Sequence, residues 1–208
     1  RRPGLKTPRA AAEEWSPSGA FNKKTALLVS SFADFFRLGH NLNVEFDEHG
    51  SEISLRPVAD GDSDFLFDLY AETRQHEVEM FGWDAAAADG FLRMQFDVRS
   101  RSYALQYPQA VDSVISCSGQ PAGRMIVAPA DTAFVLIDIA ISRAFRQKGI
   151  ASKLIRSLQS DAAAACVPLT LHVDRTNHNA FSLYQKLGFE VSGENEIHFS
   201  MTWPGPSQ

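Results

Sequence analysis

The apolar residues change their period along the chain, and each change marks an element. Ile53, Leu55 and Val58, with Arg56 among them, predict a first strand, and Asp60-Gly61-Asp62-Ser63 behind it carries turn and helix N-cap chemistry. Phe65, Leu66, Leu69 and Tyr70 then fall at helical spacing. A second helical pattern runs from about Asp84 to Tyr103, with Phe91, Leu92, Gln95, Phe96 and Arg99 along one side and Tyr107-Pro108 closing it. Val114 to Cys117 and Arg124 to Val127 flank Gly119-Gln120-Pro121 as a hairpin, and Ala133 to Ile141 adds a strand that is apolar except at Asp138. In the last third helix and strand alternate. Ile150, Leu154, Ile155, Leu158 and Ala162 form a helical stripe, Leu169 to Val173 a strand, and Ala180, Leu183, Tyr184 and Leu187 a further helix. Phe189 to Val191 and Ile197 to Trp203 close as strands. The predicted order is β-α-α-β-β-β-α-β-α-β-β, a mixed sheet covered by helices in the α/β (α+β) class.

Residues 1–50 do not share this regularity. Arg1, Arg2, Lys6, Arg9, Lys23 and Lys24 lie among Pro3, Pro8 and Pro17, a composition that favours a loose extension. Leu28, Phe32, Phe35 and Phe36 recur at helical spacing and predict one short amphipathic helix over 25–38. A transit peptide is the competing reading of this lead, and Glu13, Glu14 and Asp34 are out of keeping with it. The regular domain therefore spans 51–203, and 204–208 form a tail. With 208 residues and 44% hydrophobic content, the chain can bury the core of one such domain.

Composition narrows the function classes. A formal net charge of −5 argues against general nucleic-acid binding, which needs a basic surface, and it permits a cationic substrate. The longest apolar run, Phe134 to Ile141, is too short to cross a bilayer, so no membrane partner is expected. Cys117 and Cys166 lack any spacing that suggests a disulfide framework or a zinc site; no metal is expected, and a reducing cytoplasm is the natural location.

The sharpest chemical feature is Arg146-Gln147-Lys148-Gly149-Ile150-Ala151-Ser152, between the apolar strand and an amphipathic helix. A helix start presents unpaired N–H groups and the positive end of the macrodipole, Gly149 and Ala151 keep bulk away, and Arg146 and Lys148 add charge. Those properties suit a diphosphate. In isolation the turn reads more readily as a chain reversal with solvated charges; its place between the apolar strand and the amphipathic helix favours the anion site, and it has neither the GxxxxGK of a Walker A loop nor the GxGxxG of a dinucleotide fold.

Taken together, Leu136 to Ile141, Arg146 to Ser152, Leu169 to Val173 and Asn177 to Phe189 resemble the acetyl-CoA-binding core of the GNAT acetyltransferases. The turn matches that superfamily's pattern at Arg146, Gly149 and Ala151. The following helix-to-strand segment matches at Asn177, Ala180, Tyr184, Lys186, Gly188 and Phe189. Alanine at 151 stands where glycine is commoner. The resemblance implies a mostly antiparallel sheet of about seven strands and an N-acetyltransferase that moves the acetyl group of acetyl-CoA to a primary amine by direct transfer. A non-catalytic acyl-CoA-binding module on the same fold is the alternative.

Roles carry over position by position. The resemblance assigns the backbone of Ile139, Ala140 and Ile141 to the pantetheine arm, and Arg146, Gln147, Lys148, Gly149, Ile150, Ala151 and Ser152 to the pyrophosphate. It makes Tyr184 the general acid that protonates the departing CoA thiolate; a phenol is already protonated at neutral pH. Tyr184 also lies on its helix's inward stripe, as a core aromatic would. Asn177 can cap its helix, contact the cofactor, or both. For the base two candidates stand. Asp138 is a carboxylate inside an apolar strand, either catalytic or held by Arg124 or a backbone N–H. His172 has a reference pKa of about 6.5, and a satisfied structural histidine is its other reading. Glu77, Glu79, Asp84 and the acids at 60, 62, 64 and 68 could draw in a cationic acceptor, and several also suit a helix N-terminus. The acceptor is expected to be a small-molecule or peptide amine, and a homodimer is an expectation from the family alone.

Overall fold

The computed structural model describes residues 42–46, 50–130 and 132–205. The predicted helix over 25–38 lies outside the described residues. Eight strands form one sheet: β1 (Leu42–Phe46), β2 (Glu52–Pro57), β3 (Val111–Cys117), β4 (Gln120–Ala128), β5 (Phe134–Ile141), β6 (Leu169–Asp174), β7 (Glu190–Glu194) and β8 (His198–Trp203). Four helices accompany them: α1 (Ser63–Phe81), α2 (Ala85–Gln106), α3 (Ile150–Ala164) and α4 (His178–Lys186). The strand order is β1-β2-β3-β4-β5-β6-β8-β7, with β5 and β6 the parallel pair and the other neighbours antiparallel. The periodicity predicts seven of these strands. The eighth, β1, pairs with the sheet's edge at β2 from within the segment expected to be loose. None of the helices, among the described residues, is long and apolar enough to cross a membrane.

Alternation sorts the sheet into two faces. Ile53, Leu55, Ile115, Met125, Val127, Leu169, Leu171, Val173 and Met201 point to one, where Ile150, Leu154, Ile155 and Leu158 of α3 and Tyr184 and Leu187 of α4 complete the main core. Phe134, Leu169, Leu171 and Met201 are essentially without solvent contact, so truncating Leu171 to alanine would cost about 2–5 kcal/mol. Asp112, Val114, Arg124 and Ile126 alternate onto the opposite face, which α1 and α2 cover, with Phe67, Tyr70, Leu92 and Phe96 packed between those helices.

One irregularity decides where chemistry can occur. Val127 pairs with Leu136 and Ile126 with Asp138, so Ile137 is an extra residue in β5, a β-bulge. Without it Asp138, two residues beyond the core-facing Leu136, would follow Leu136 into the apolar core. The bulge turns Asp138 to the opposite face. Beyond it β5 stays tight against β4, because a Cβ on Gly123 would collide with the Ala140 carbonyl oxygen.

The acids at the start of α1 stabilise the fold. Asp62 accepts hydrogen bonds from both terminal nitrogens of Arg56 at 2.6 and 2.7 Å and from the Ala59 N–H at 2.8 Å. The Arg56 contact holds its carboxyl down at about 2, against the ordinary 3.8. The resulting stabilisation is fully present above pH 3.8 and is lost as pH falls through about 2. With Arg56 partly solvated, Asp62→Asn is expected to lower stability by about 1 kcal/mol at neutral pH. Denaturant melts of the two proteins should differ at pH 6 and converge towards pH 2.

Candidate active site

Strands β5 and β6 pair only through Phe134–Leu136 and Leu169–Leu171. Past the bulge they part: Ile139, Ala140 and Ile141 pair with Met125, Arg124 and Gly123 of β4, while His172, Val173 and Asp174 pair only with β8. The β6-facing backbone edge of β5 is thus open, a row of peptide groups to which an extended ligand can add as a strand would. The Ile141 carbonyl is engaged, accepting from Arg146 Nε at 2.8 Å.

The chain leaves β5 through a short 3-10 turn, Arg143–Phe145, and enters α3 through the predicted turn. Gln147 and Gly149 both have positive φ, 62° and 75°. Gly149 is the N-cap of α3 and brings no side chain to its first-turn N–H groups, at Ile150, Ala151 and Ser152. A helix start left uncapped next to an open strand edge can hold an anion. Arg146 does not simply face solvent: besides the Ile141 carbonyl it lies 3.8 Å from Glu72 of α1, whose carboxylate also accepts the Arg143 N–H at 2.9 Å. Arg146 therefore braces the turn against β5 and α1. The Lys148 ammonium sits 5.0 Å from the centre of the Phe145 ring. Ile150 is a core residue, whereas Ala151 and Ser152 are half-buried.

Across the opening, Asn177 caps α4, its side chain accepting the Ala180 N–H at 3.1 Å. Tyr184 lies one turn from the end of that helix, buried at 8% exposure against Phe189, with ring centres 5.7 Å apart. Among the described residues its hydroxyl has no hydrogen-bond partner. Burial, aided by the nearby Asp138 carboxylate, pushes the phenol up to about 12. It therefore stays protonated at any physiological pH and has a proton to give. A phenol raised on folding contributes stability below its ordinary 10 that is lost between 10 and 12. Asp138→Asn is expected to bring Tyr184's titration down from about 12 while leaving it above 10, because burial is the larger cause. A tyrosinate absorbance titration, with the Tyr184→Phe protein subtracted, checks this.

Asp138 is not held by Arg124. Arg124 is committed to Asp112 through Nε–Oδ1 at 2.8 Å and Nη2–Oδ2 at 2.5 Å. The partner of Asp138 comes from α2, where Arg99 Nη2 donates to Asp138 Oδ1 at 3.1 Å and Arg99 Nε donates to Tyr103 Oη at 2.9 Å. Burial would weaken the Arg99 charge, but Asp138 and then Tyr103 hold it above its ordinary range. The signal for Arg99 is present in the sequence: a charged residue on the inward stripe of a helix, next to Phe96.

The remaining candidates lie elsewhere. His172 is exposed, pointing away from the core face that Leu171 and Val173 define, with Nδ1 3.1 Å from Ser200 Oγ. Asp84 caps α2 by accepting the Ala87 N–H at 2.9 Å, and Asp62 is taken up by Arg56. The side chains of Glu77 and Glu79 lie outside the described residues. At the end of β6, Asp174 accepts both the hydroxyl and N–H of Thr176, which hold its carboxyl below the ordinary range, with His198 and Arg74 adding to the effect. No three His, Cys, Asp or Glu side chains among the described residues stand together as metal ligands would.

Comparison with known proteins agrees with this geometry. The structure is similar to the PaiA N-acetyltransferase of Thermoplasma acidophilum in complex with coenzyme A (TM-score 0.55, 17% identity, 72% of this chain and 97% of that one). It is also similar to a GNAT-family acetyltransferase from Listeria monocytogenes (0.54, 20%, 77% and 99%) and to an acetyltransferase from Thermus thermophilus (0.55, 15%, 78% and 99%). At these identities the likeness establishes the fold. No curated protein matches the sequence significantly. The profile of the acetyltransferase (GNAT) family matches residues 66–189, from within α1 to the end of the α4 segment, and so takes in the bulge, the open edge and the turn. The chain belongs to the GNAT family of acetyltransferases.

Proposed function

We propose that this protein is an acetyl-CoA-dependent N-acetyltransferase acting on a primary amine of a small molecule or peptide by direct transfer. The observation that carries the reading is geometric: β5 opens from β6 beyond Leu136 beside the uncapped start of α3, and the Tyr184 phenol of α4 lies within electrostatic reach of Asp138 on that strand. The residues present fit the cosubstrate. The backbone groups of Ile139 lie on the edge of β5 that β6 leaves open and can add to an amide-containing arm, while the Ala140 carbonyl faces Gly123 of β4, and the N–H groups of Ile150, Ala151 and Ser152 meet a diphosphate without competition from a cap. Lys148 adds a positive charge beside that helix start, and Arg146 supports it through Ile141 and Glu72.

When bound, acetyl-CoA supplies an acyl group activated as a thioester. Tyr184 gives its proton to the departing sulfur, which needs no tuning because the phenol is protonated throughout. Asp138 takes the proton of the acceptor nitrogen through water, and His172, exposed and bonded to Ser200, is the less suited candidate. One proton leaves nitrogen and one reaches sulfur; solvent restores Tyr184 and Asp138. Overall an amine N–H and a thioester C–S bond are replaced by an amide C–N bond and a thiol S–H bond.

The test is thiol release from acetyl-CoA by the purified chain across a panel of small amines, amino acids and peptides. Release that depends on the amine supports the reading. No thiol release with any amine in the panel, while CoA binds by calorimetry, would favour a binding module instead.

A further inference from the structure

Asp138 stands in a network of charges that the family likeness does not assign. Arg99 of α2 bonds it, with Tyr103 of α2 and Tyr70 of α1 around that guanidinium, and Arg124 of the sheet, itself bound to Asp112, and Tyr184 of α4 lie within its electrostatic reach. Arg124 makes a two-point contact with Asp112 and no hydrogen bond to Asp138. The hydrogen bond that fixes Asp138 is thus the one from Arg99, on Oδ1, and among the described residues Oδ2 accepts none. Arg99 is itself fixed on three sides. Its Nε is bound to Tyr103, and its guanidinium lies 5.2 Å from the Tyr103 ring centre and 5.7 Å from that of Tyr70. Only a planar fork can donate to Tyr103 and Asp138 from two different nitrogens at once; a lysine ammonium is a single point.

We infer that Arg99 is a positioning residue for acetyl transfer: it ties Asp138 down by Oδ1 and leaves Oδ2, which accepts no hydrogen bond among the described residues, to receive the proton of the acceptor nitrogen. This inference rests on the reading of Asp138 as the base. It joins α2 to the chemistry, so that a helix without a residue in the acetyl-CoA seat governs the rate of the proton transfer. Misplacing a catalytic group by a fraction of its length costs rate and not cosubstrate affinity.

The test is steady-state kinetics on the full chain for Arg99→Met, Arg99→Lys, Asp138→Asn and Arg99→Met combined with Asp138→Asn, using the best amine of the panel. Arg99→Met is expected to lower kcat by about tenfold or more, with the KM for acetyl-CoA within about twofold of the wild type. Arg99→Lys is expected to stay within about threefold of Arg99→Met, since it keeps the charge but not the fork. In the Asp138→Asn background, losing Arg99 should change kcat by less than about twofold, because the two act as one unit. Wild-type kcat in Arg99→Met, full recovery in Arg99→Lys, or an equal loss with and without Asp138 would each overturn the inference. Should Arg99→Met fail to fold, Arg99→Lys in both backgrounds carries the same comparison. A wild type without amine-dependent turnover would sink the functional reading itself. Loss of activity in Asp138→Asn beside a normal Arg99→Met would sink only the positioning.

Discussion

Replacing Tyr184 by phenylalanine is expected to lower kcat by about 10²–10³-fold while leaving acetyl-CoA binding within about twofold. The removed atom is one hydroxyl oxygen that has no hydrogen-bond partner among the described residues. Its loss therefore breaks no internal bond, and the ring still fills its place against Phe189 and the core. Stability should hold, because no hydrogen bond within the fold depends on that hydroxyl. That combination separates a proton donor from a core aromatic: a packing residue would lose stability on truncation to leucine and lose nothing on conversion to phenylalanine. Stopped-flow thiol release together with a thermal melt measures both quantities. Unchanged kcat with the same melting temperature would remove Tyr184 from the mechanism.

The second large effect is expected at Gly149. Its φ of 75° and ψ near 0° lie in the left-handed region, which a β-branched residue enters at a cost of about 1–3 kcal/mol. In Gly149→Val the chain must either bear that strain or unwind the first turn of α3. In either case the N–H groups of Ile150, Ala151 and Ser152 no longer converge. A diphosphate held by those groups would lose about 10–100-fold in affinity, equivalent to the same few kcal/mol. Isothermal calorimetry with CoA reads this directly, and dephosphorylated pantetheine serves as the control: its affinity should change far less, because it rests on the β5 edge. Equal losses for both ligands would mean that the Gly149→Val substitution damages the whole fold and that the turn is not a separate phosphate seat.

These two residues show how differently the parts of the site are written in the sequence. Gly149 is legible because a glycine at a strand-to-helix junction is a local requirement, visible in six consecutive letters. Tyr184 is half legible: helical spacing puts it on the inward stripe, but only the opening of β5 from β6 leaves its hydroxyl without a partner. Asp138 is the hardest to read. Strict alternation from Leu136 puts its side chain in the apolar core, and the Ile137 bulge that moves it to the other face is one unpaired residue in a continuous apolar run. Its partner Arg99 is 39 residues away in sequence, and only the packing of α2 on the sheet brings the two together. The nearer cation, Arg124, is excluded because Asp112, 12 residues before it on the adjacent strand, already holds it. The strand β1 does carry a legible period, Leu42, Val44 and Phe46 alternating with Asn43 and Glu45, which the loose composition of residues 1–50 as a whole masks.

Two of the acids that the charge pattern offers for an incoming cation are taken up within the fold. Asp62 is bound to Arg56, Asp84 to the start of α2, and Asp89 to Arg93, whose charge also lies near Asp64 and Asp68. The walls of the opening near β6 instead carry Asp174 beside Arg74 and His198, a mixed set. A net charge of −5 therefore says little by itself about the acceptor, because Asp62 and Asp84 already serve the fold's own helix starts.

The most direct test of the account follows an isotope-labelled acetyl group from acetyl-CoA through one turnover with an amine identified in the panel. Direct transfer at the opening of β5 predicts that the label arrives on the amine nitrogen, that none stays on the protein, and that Tyr184→Phe slows its arrival. Label retained on a protein side chain, or appearing only as free acetate, would contradict it.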